Sequence, residues 1–244
     1  MESTRSGSLP TWVPDWRIQG NARSPLTNLD YQNYSAIGRA IFRRQRIHDA
    51  RKLSLRGVTV DIIGTLDEPT DSSLMNSFVE TGVVYEYADQ SMMVAFARTL
   101  VADINPSSRV KREERWREED FFNVPEQSAN ENGITPFWKK AYEKILNGRF
   151  LRTKDRRIGL APITAREGDL VCLVLGGEVP FVLRCSDDEY ELVGECYVHG
   201  LMDGEGLLEA ARRAQPGFNC GMPPGLYDWD EEPLPFKVEE FVLK

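Results

Sequence analysis

The sequence predicts an α+β fold: a small antiparallel β-barrel or meander, with strands near 52–66 and 157–199 and a last one at 240–243, a helical insertion at about 72–147, and long irregular arms. Three observations carry this. Apolar residues alternate along 53–62, where Leu53, Leu55, Val58, Val60 and Ile62 mark one strand, bent or bulged at Gly57. Asp169 to Leu175 is a near-continuous apolar run, as expected of a strand buried on both faces, and two further apolar segments follow it after short turns. Between these regions apolar residues recur at spacings of three and four, which is helical periodicity.

Taken in order, Leu9-Pro10-Thr11-Trp12-Val13-Pro14-Asp15-Trp16 is an extended arm, because each proline lacks an amide hydrogen and holds its predecessor in extended geometry. Trp12 and Trp16 are costly to leave in water at about 25 cal/mol per Å2 of apolar area, so they are expected to anchor the arm. Residues 20–48 lack periodicity and read as a long surface loop. A helix capped by Asp71, Ser72 or Ser73 carries Leu74, Met75, Phe78 and Val79. A stronger helix follows Asp89 with Met93, Phe96, Ala97, Leu100, Val101 and Ile104 on one face, stopped by Asn105-Pro106. Residues 109–120 mix charges of both signs and read as solvated. A third helix opens at Pro136 and ends before Gly148.

After the strand at 169–175, Gly176-Gly177 supplies a hairpin turn, residues 179–184 return, Ser186-Asp187-Asp188 turns again, and 190–199 forms a third strand. Residues 206–213 form a short helix, and a proline-rich tail wraps back. The chain is then one interleaved module over 1–244. It comprises an arm and loop at 1–50, a β core from 51–66 plus 157–205, a helical insertion at 70–150, and a short helix with wrapping tail at 206–244.

With 244 residues, 41% of them hydrophobic, the chain can bury a substantial core. No run approaches the roughly 18 apolar residues of a spanning helix, and the polar start lacks a signal-peptide core, so a cytoplasmic protein without membrane contact is expected. Four scattered cysteines do not make a disulfide framework and are expected reduced and buried. The net charge of −8 conceals a +5 balance over 1–66 and a −10 balance over 187–244. Arg39, Arg43, Arg44, Arg46, Arg51, Lys52 and Arg56 could line a phosphate strip. The acidic tail competes for them, which argues against nucleic acid and predicts that the two ends meet.

Two histidines, His48 and His199, cannot build a multi-histidine metal centre. Cys196 and His199 have half-site spacing only, and on a continuous strand they face opposite ways, whereas Glu195, Tyr197 and His199 share a face. That face, with Asp203 and Glu205, is the candidate binding or structural motif. As a catalytic site it would use His199 as general base, yet the sequence offers no nucleophile elbow, phosphate-cradling loop or dinucleotide fingerprint. The alternative is that these residues fix the strand-to-helix junction, with Asp203 capping the helix. No catalytic residue, metal or cofactor is therefore expected, and no enzymatic activity.

Gly194-Glu195-Cys196-Tyr197-Val198-His199-Gly200-Leu201-Met202-Asp203-Gly204-Glu205 strongly resembles the C-terminal signature of fungal heterokaryon-incompatibility (HET-domain) proteins. Gly159-Leu160-Ala161-Pro162, Gly168-Asp169-Leu170-Val171, Gly176-Gly177 and Pro180-Phe181-Val182-Leu183-Arg184 are similar to its preceding strands, in the same order. Upstream, the arm at 9–16, Leu55-Arg56-Gly57, Val60-Asp61-Ile62 and Ala95-Phe96-Ala97-Arg98-Thr99-Leu100 extend the resemblance over nearly the whole chain. In that family the arm lies downstream of the incompatibility domain, so the resemblance implies a region without this effector part. It implies an accessory or interaction module with incompatibility-type protein partners. A small-molecule hydrolase or ligand-binding barrel using Glu195, Tyr197, His199 and Asp203 is the competing expectation.

Overall fold

The computed structural model describes residues 10–12, 26, 34–37, 46–49 (backbone only), 52–67, 84–104, 139, 141, 144–146, 148–219 and 234–244. Trp16, the helix expected at 72–79, the charged stretch 109–120, most of the basic strip, Cys220 and most of the proline-rich tail lie outside them.

The described residues are mostly sheet with a few helices. The strands are β1 (Arg46–Asp49), β2 (Lys52–Asp67), β3 (Val84–Tyr85), β4 (Gln90–Ser91), β5 (Gly148–Thr153), β6 (Ile158–Pro162), β7 (Leu170–Val174), β8 (Phe181–Ser186), β9 (Glu189–Glu195), β10 (Tyr197–Val198) and β11 (Glu239–Leu243). Two helices are complete, α1 (Met92–Leu100) and α2 (Glu205–Ala214), and Lys139, Ala141 and 144–146 are also helical.

β2 organises everything. Its first half pairs with β11 at Leu53–Gly57, its middle with β7 at Gly57–Ile62, and its end with β5 at Ile63–Asp67. Since β7, β8 and β9 form an antiparallel meander and β9 meets β11, the order β2-β11-β9-β8-β7 returns to β2 as a closed ring. Each ring strand sends a residue such as Leu55, Cys172, Leu183, Leu192 or Phe241 into one apolar cluster. The opposite faces of β2, β7 and β8, through Val58, Leu173 and Val182, pack with Leu207 and Ala211 of α2 in a second cluster. Cys172 and Leu173 thus enter different cores, which explains the unbroken apolar run. A methyl group at Gly57 would overlap the Leu173 carbonyl oxygen, so this glycine sets the close β2–β7 approach.

Several details differ from the expectations. β2 carries no bulge at Gly57; its register shifts fall between Thr59 and Asp61 and between Ile63 and Thr65, as pairing passes from β7 to β5. The region taken as a helical insertion holds the β3–β4 hairpin and ends in a strand, β5. Residues 46–49, read as loop, pair with β2. Of Gly176-Gly177, Gly176 alone has positive φ, at 98°, and the connection spans more than two residues. The segment 190–199 breaks at Cys196: β9 stays in the ring, while β10 pairs with β6.

The α1 helix begins at Ser91, whose hydroxyl accepts from the Val94 amide at 3.3 Å. It ends at Leu100 rather than at Asn105-Pro106. Ala102 at φ 52° and the bonds Asp103 N to Arg98 O and Ala102 N to Thr99 O form a Schellman closure.

The charged ends do meet where they are described. Strand β11 runs antiparallel to β2, Glu240 accepts from the Ser54 hydroxyl, and Lys52 pairs with Glu189. Trp12 is half-buried against the ring cluster. Among the described residues no helix is long and apolar enough to cross a membrane.

Candidate functional site

The 194–205 segment changes direction at Cys196, whose amide donates to the Pro180 carbonyl at 2.9 Å. Strand alternation therefore does not govern the motif. Glu195 sits opposite Phe181 in the ring ladder, whereas Tyr197 sits opposite Leu160 in the β6 ladder, so the three-residue face expected from a continuous strand is split. Tyr197 and His199 do come together, with the phenol oxygen 2.6 Å from Nδ1. Asp203 is not the helix cap. Gly204 takes that position at φ 89°, without a side-chain bond, and Glu205 turns its carboxylate back to accept from the Asp203 amide at 2.6 Å.

His199 is 4% exposed and is held from every side. Its amide donates to the Ile158 carbonyl at 2.9 Å, its carbonyl accepts from the Tyr85 hydroxyl at 2.9 Å, and Nε2 is bonded to the Gln90 side chain. Gly200, at φ 81°, lets Tyr87 approach; a Cβ there would meet the Tyr87 Cβ at 3.1 Å. Tyr85, Tyr87 and Gln90 all come from the β3–β4 hairpin and its turn. The motif is thus a socket in which that hairpin is seated, and the hairpin leads directly into α1.

A second cluster adjoins the socket. Arg157, with its side chain 1% exposed, donates from Nη1 to Asp61 Oδ2 at 3.0 Å and pairs through Nη2 with Glu209. Its guanidinium carbon lies 3.9 Å from the Tyr87 ring centroid. Asp61 Oδ1 accepts from the amides of Ile62 at 2.8 Å and Asp155 at 3.3 Å. Arg213 completes the outer edge, reaching Glu209 at 2.7 Å and Asp155 at 3.1 Å. This network ties β2, the β5–β6 turn, α2 and the hairpin to one buried cation. Sequence reading missed Arg157, Glu209 and Gln90; the available signal was a charged Asp155-Arg156-Arg157 triplet abutting the apolar Ile158-Gly159-Leu160 run.

A third joint links Asp169 to Arg184 by a two-pronged bond, Nε to Oδ1 at 2.9 Å and Nη2 to Oδ2 at 2.8 Å. Arg184 also donates to the Thr164 carbonyl at 2.9 Å. Both residues lie in the motif pieces singled out from the sequence. Among the described residues no three His, Cys, Asp or Glu side chains gather as a metal site.

Burial pushes the Cys172 thiol up to about 12, only partly offset by its hydrogen bond to Thr59, and raises Cys196 well above the thiol range. Cys185, expected to be buried, is exposed near the end of β8. A thiol reagent at neutral pH should therefore label Cys185 in the folded chain and reach Cys172 and Cys196 only on unfolding. Burial also raises the Tyr85 phenol well above its usual value. A raised folded-state value means that the unfolded chain loses these protons first. Stability should then be intact below the ordinary thiol and phenol ranges and fall as pH rises through about 8.5 to 10 and beyond. Urea midpoints at pH 8 and 10.5 check the sign; a higher midpoint at 10.5 contradicts it.

Comparison with known proteins accords with the motif series. Residues 126–215 match the family model described as the Het-6 beta-barrel domain. The heterokaryon incompatibility protein 6, OR allele, of Neurospora crassa is 37% identical over 65 residues, a match covering 25% of this chain and 9% of that protein. No solved structure matches. This segment, which contains the buried Arg157, the Asp169–Arg184 fork and the 194–205 socket, is where the chain is similar to the heterokaryon-incompatibility type of protein.

Proposed function

We propose that the chain is a non-enzymatic accessory module of the heterokaryon-incompatibility type: a small barrel that works beside the incompatibility (effector) domain, in the cytoplasm, by contacting incompatibility-type proteins. The observation that supports this reading is how the motif residues are spent. Asp61, Arg157, Asp169, Arg184, Tyr197 and His199 are engaged with one another, with the hairpin or with backbone. A catalytic histidine needs a nucleophile or a water within reach of a free ring nitrogen. Here both ring nitrogens of His199 are bonded to protein side chains and the residue is buried.

The competing hydrolase or ligand-binding barrel draws support from the 2.6 Å Tyr197–His199 contact, which could be the start of a proton relay. It is disfavoured by the ring interior, where Leu55, Leu183 and Phe241 take the place a ligand would need. The test is an assay of the purified chain and its His199→Ala variant on nucleotides, NAD and aryl esters, alongside co-purification with a full-length incompatibility protein. The proposal predicts no His199-dependent turnover and a stoichiometric complex. Turnover that disappears in the variant would overturn it.

A further inference from the structure

The ring has one seam unlike the others. β8 and β9 share a ladder from Phe181 to Ser186, and β11 and β2 share five residue pairs, but β9 and β11 meet in parallel through the single pair Leu243 and Tyr190. The Lys244 amide donates to the Tyr190 carbonyl at 3.1 Å at its end. So short a pairing gives little of the cooperative stability of a ladder.

The arm fills this gap. The Thr11 amide donates to the Lys244 carbonyl at 2.7 Å, and the Thr11 hydroxyl donates to the same carbonyl at 2.5 Å. The hydroxyl oxygen in turn accepts from the Leu192 amide at 3.2 Å. One threonine therefore bridges Lys244 to the middle of β9, two residues beyond the point where the ladder stops. Trp12, next in sequence, packs on the cluster that holds Phe241, Leu243, Tyr190 and Leu192, the residues on both sides of the seam. Pro10 has no amide hydrogen and cannot compete for the Lys244 carbonyl.

We propose that residues 10–12 are a strap whose seating controls a local opening of the ring at the β9–β11 seam. With the strap seated, β11 is clamped between β2 and β9. With it lifted, the β11 end and the Leu192 edge of β9 lose their shared bond and open as a unit, while the β7–β8–β9 meander stays folded. Force on, or binding to, the chain N-terminal to Pro10 is thereby transmitted to β11, which makes the strap and that strand one mechanical element. The inference does not depend on the proposed function.

Hydrogen exchange on the full chain, read by NMR, tests it. Thr11→Val removes the hydroxyl bridge but leaves the amide bond to Lys244. The exchange of the Leu192 and Lys244 amides should quicken roughly fivefold to tenfold, the equivalent of one side-chain hydrogen bond. Amides of the β7–β8 ladder should keep their rates. Thr11→Ser, which retains the hydroxyl, should restore the native pattern, and Trp12→Ala should extend the fast exchange to Phe241 and Leu243. Unchanged rates at Leu192 and Lys244 in Thr11→Val overturn the proposal. So does an equal acceleration throughout the β7–β8 ladder, which would mean global weakening rather than opening at a seam.

Discussion

Replacing Arg157 with methionine should destabilise the protein by about 3–5 kcal/mol, the range found when one partner of a buried ion pair is removed. Methionine keeps much of the aliphatic stem under the Tyr87 ring, so the loss is mainly electrostatic. The Asp61 carboxylate, 2% exposed, would remain buried with two backbone amides as donors and no cation. Glu209 would still have Arg213, which limits damage to α2. Against a typical stability of about 5–15 kcal/mol such a loss is large, and chemical denaturation at neutral pH reads it directly. The companion variant Asp61→Asn with Arg157→Met removes both charges and should recover part of the loss. If the single and double variants are equally unstable, the burden lies in packing and the charge network is incidental.

Ending the chain after Val238 should have a still larger effect. It removes Phe241 and Leu243, both fully buried, and such residues cost about 2–5 kcal/mol each even when only truncated to alanine. It also strips the partner from β2 at Leu53–Gly57 and opens the ring. An unpaired edge carrying the half-buried Leu53 and Leu55 is a template for association, and Arg56 would lose its ladder partner Glu240. Light scattering after size exclusion should show soluble aggregates in place of the species formed by the full chain. A truncated protein with the same mass and thermal midpoint as the full chain would contradict the ring as the organising unit.

Much of the ring was legible because its evidence is local. The meander from Leu170 to Glu195 is three apolar segments joined by short turns, and the positive φ of Asp187, 55°, fits the turn read there. Elsewhere the deciding interactions are distant. Alternation continues through Cys196, so the departure of Tyr197 toward β6 leaves no mark in the sequence; it depends on Gly159, where any Cβ would overlap the Tyr197 carbonyl. The apolar spacing that made α1 look longer comes from Val101 and Ile104, which stay in apolar clusters after the helix has ended. The strand at Gly148–Thr153 holds only Phe150 and Leu151 as apolar residues among arginines, too few for a pattern. The candidate site divided in the same way. His199 and Tyr197 were found from the motif, but Gln90 lies 109 residues away and Asp61 lies 96 residues from Arg157, separations at which no spacing rule operates.

The likeness to the heterokaryon-incompatibility proteins thereby acquires physical content. Within residues 126–215 the motif pieces coincide with joints, Asp169 against Arg184 and the 194–205 socket under the hairpin; outside that segment Gly57 sets the β2–β7 approach and Asp61 lies against Arg157. Residues that look like chemistry in the sequence hold elements together in the fold.

That reading is tested most directly by hydrogen exchange of the hairpin in His199→Ala. If the socket holds the hairpin, amides of Tyr85 through Ser91 should lose about tenfold or more in protection, since the variant removes a buried side-chain bond to Gln90 and the packing beneath Tyr85. The β7–β8 ladder should keep its rates. A hairpin as protected in the variant as in the native chain would contradict the structural role of the motif and return His199 to the list of catalytic candidates.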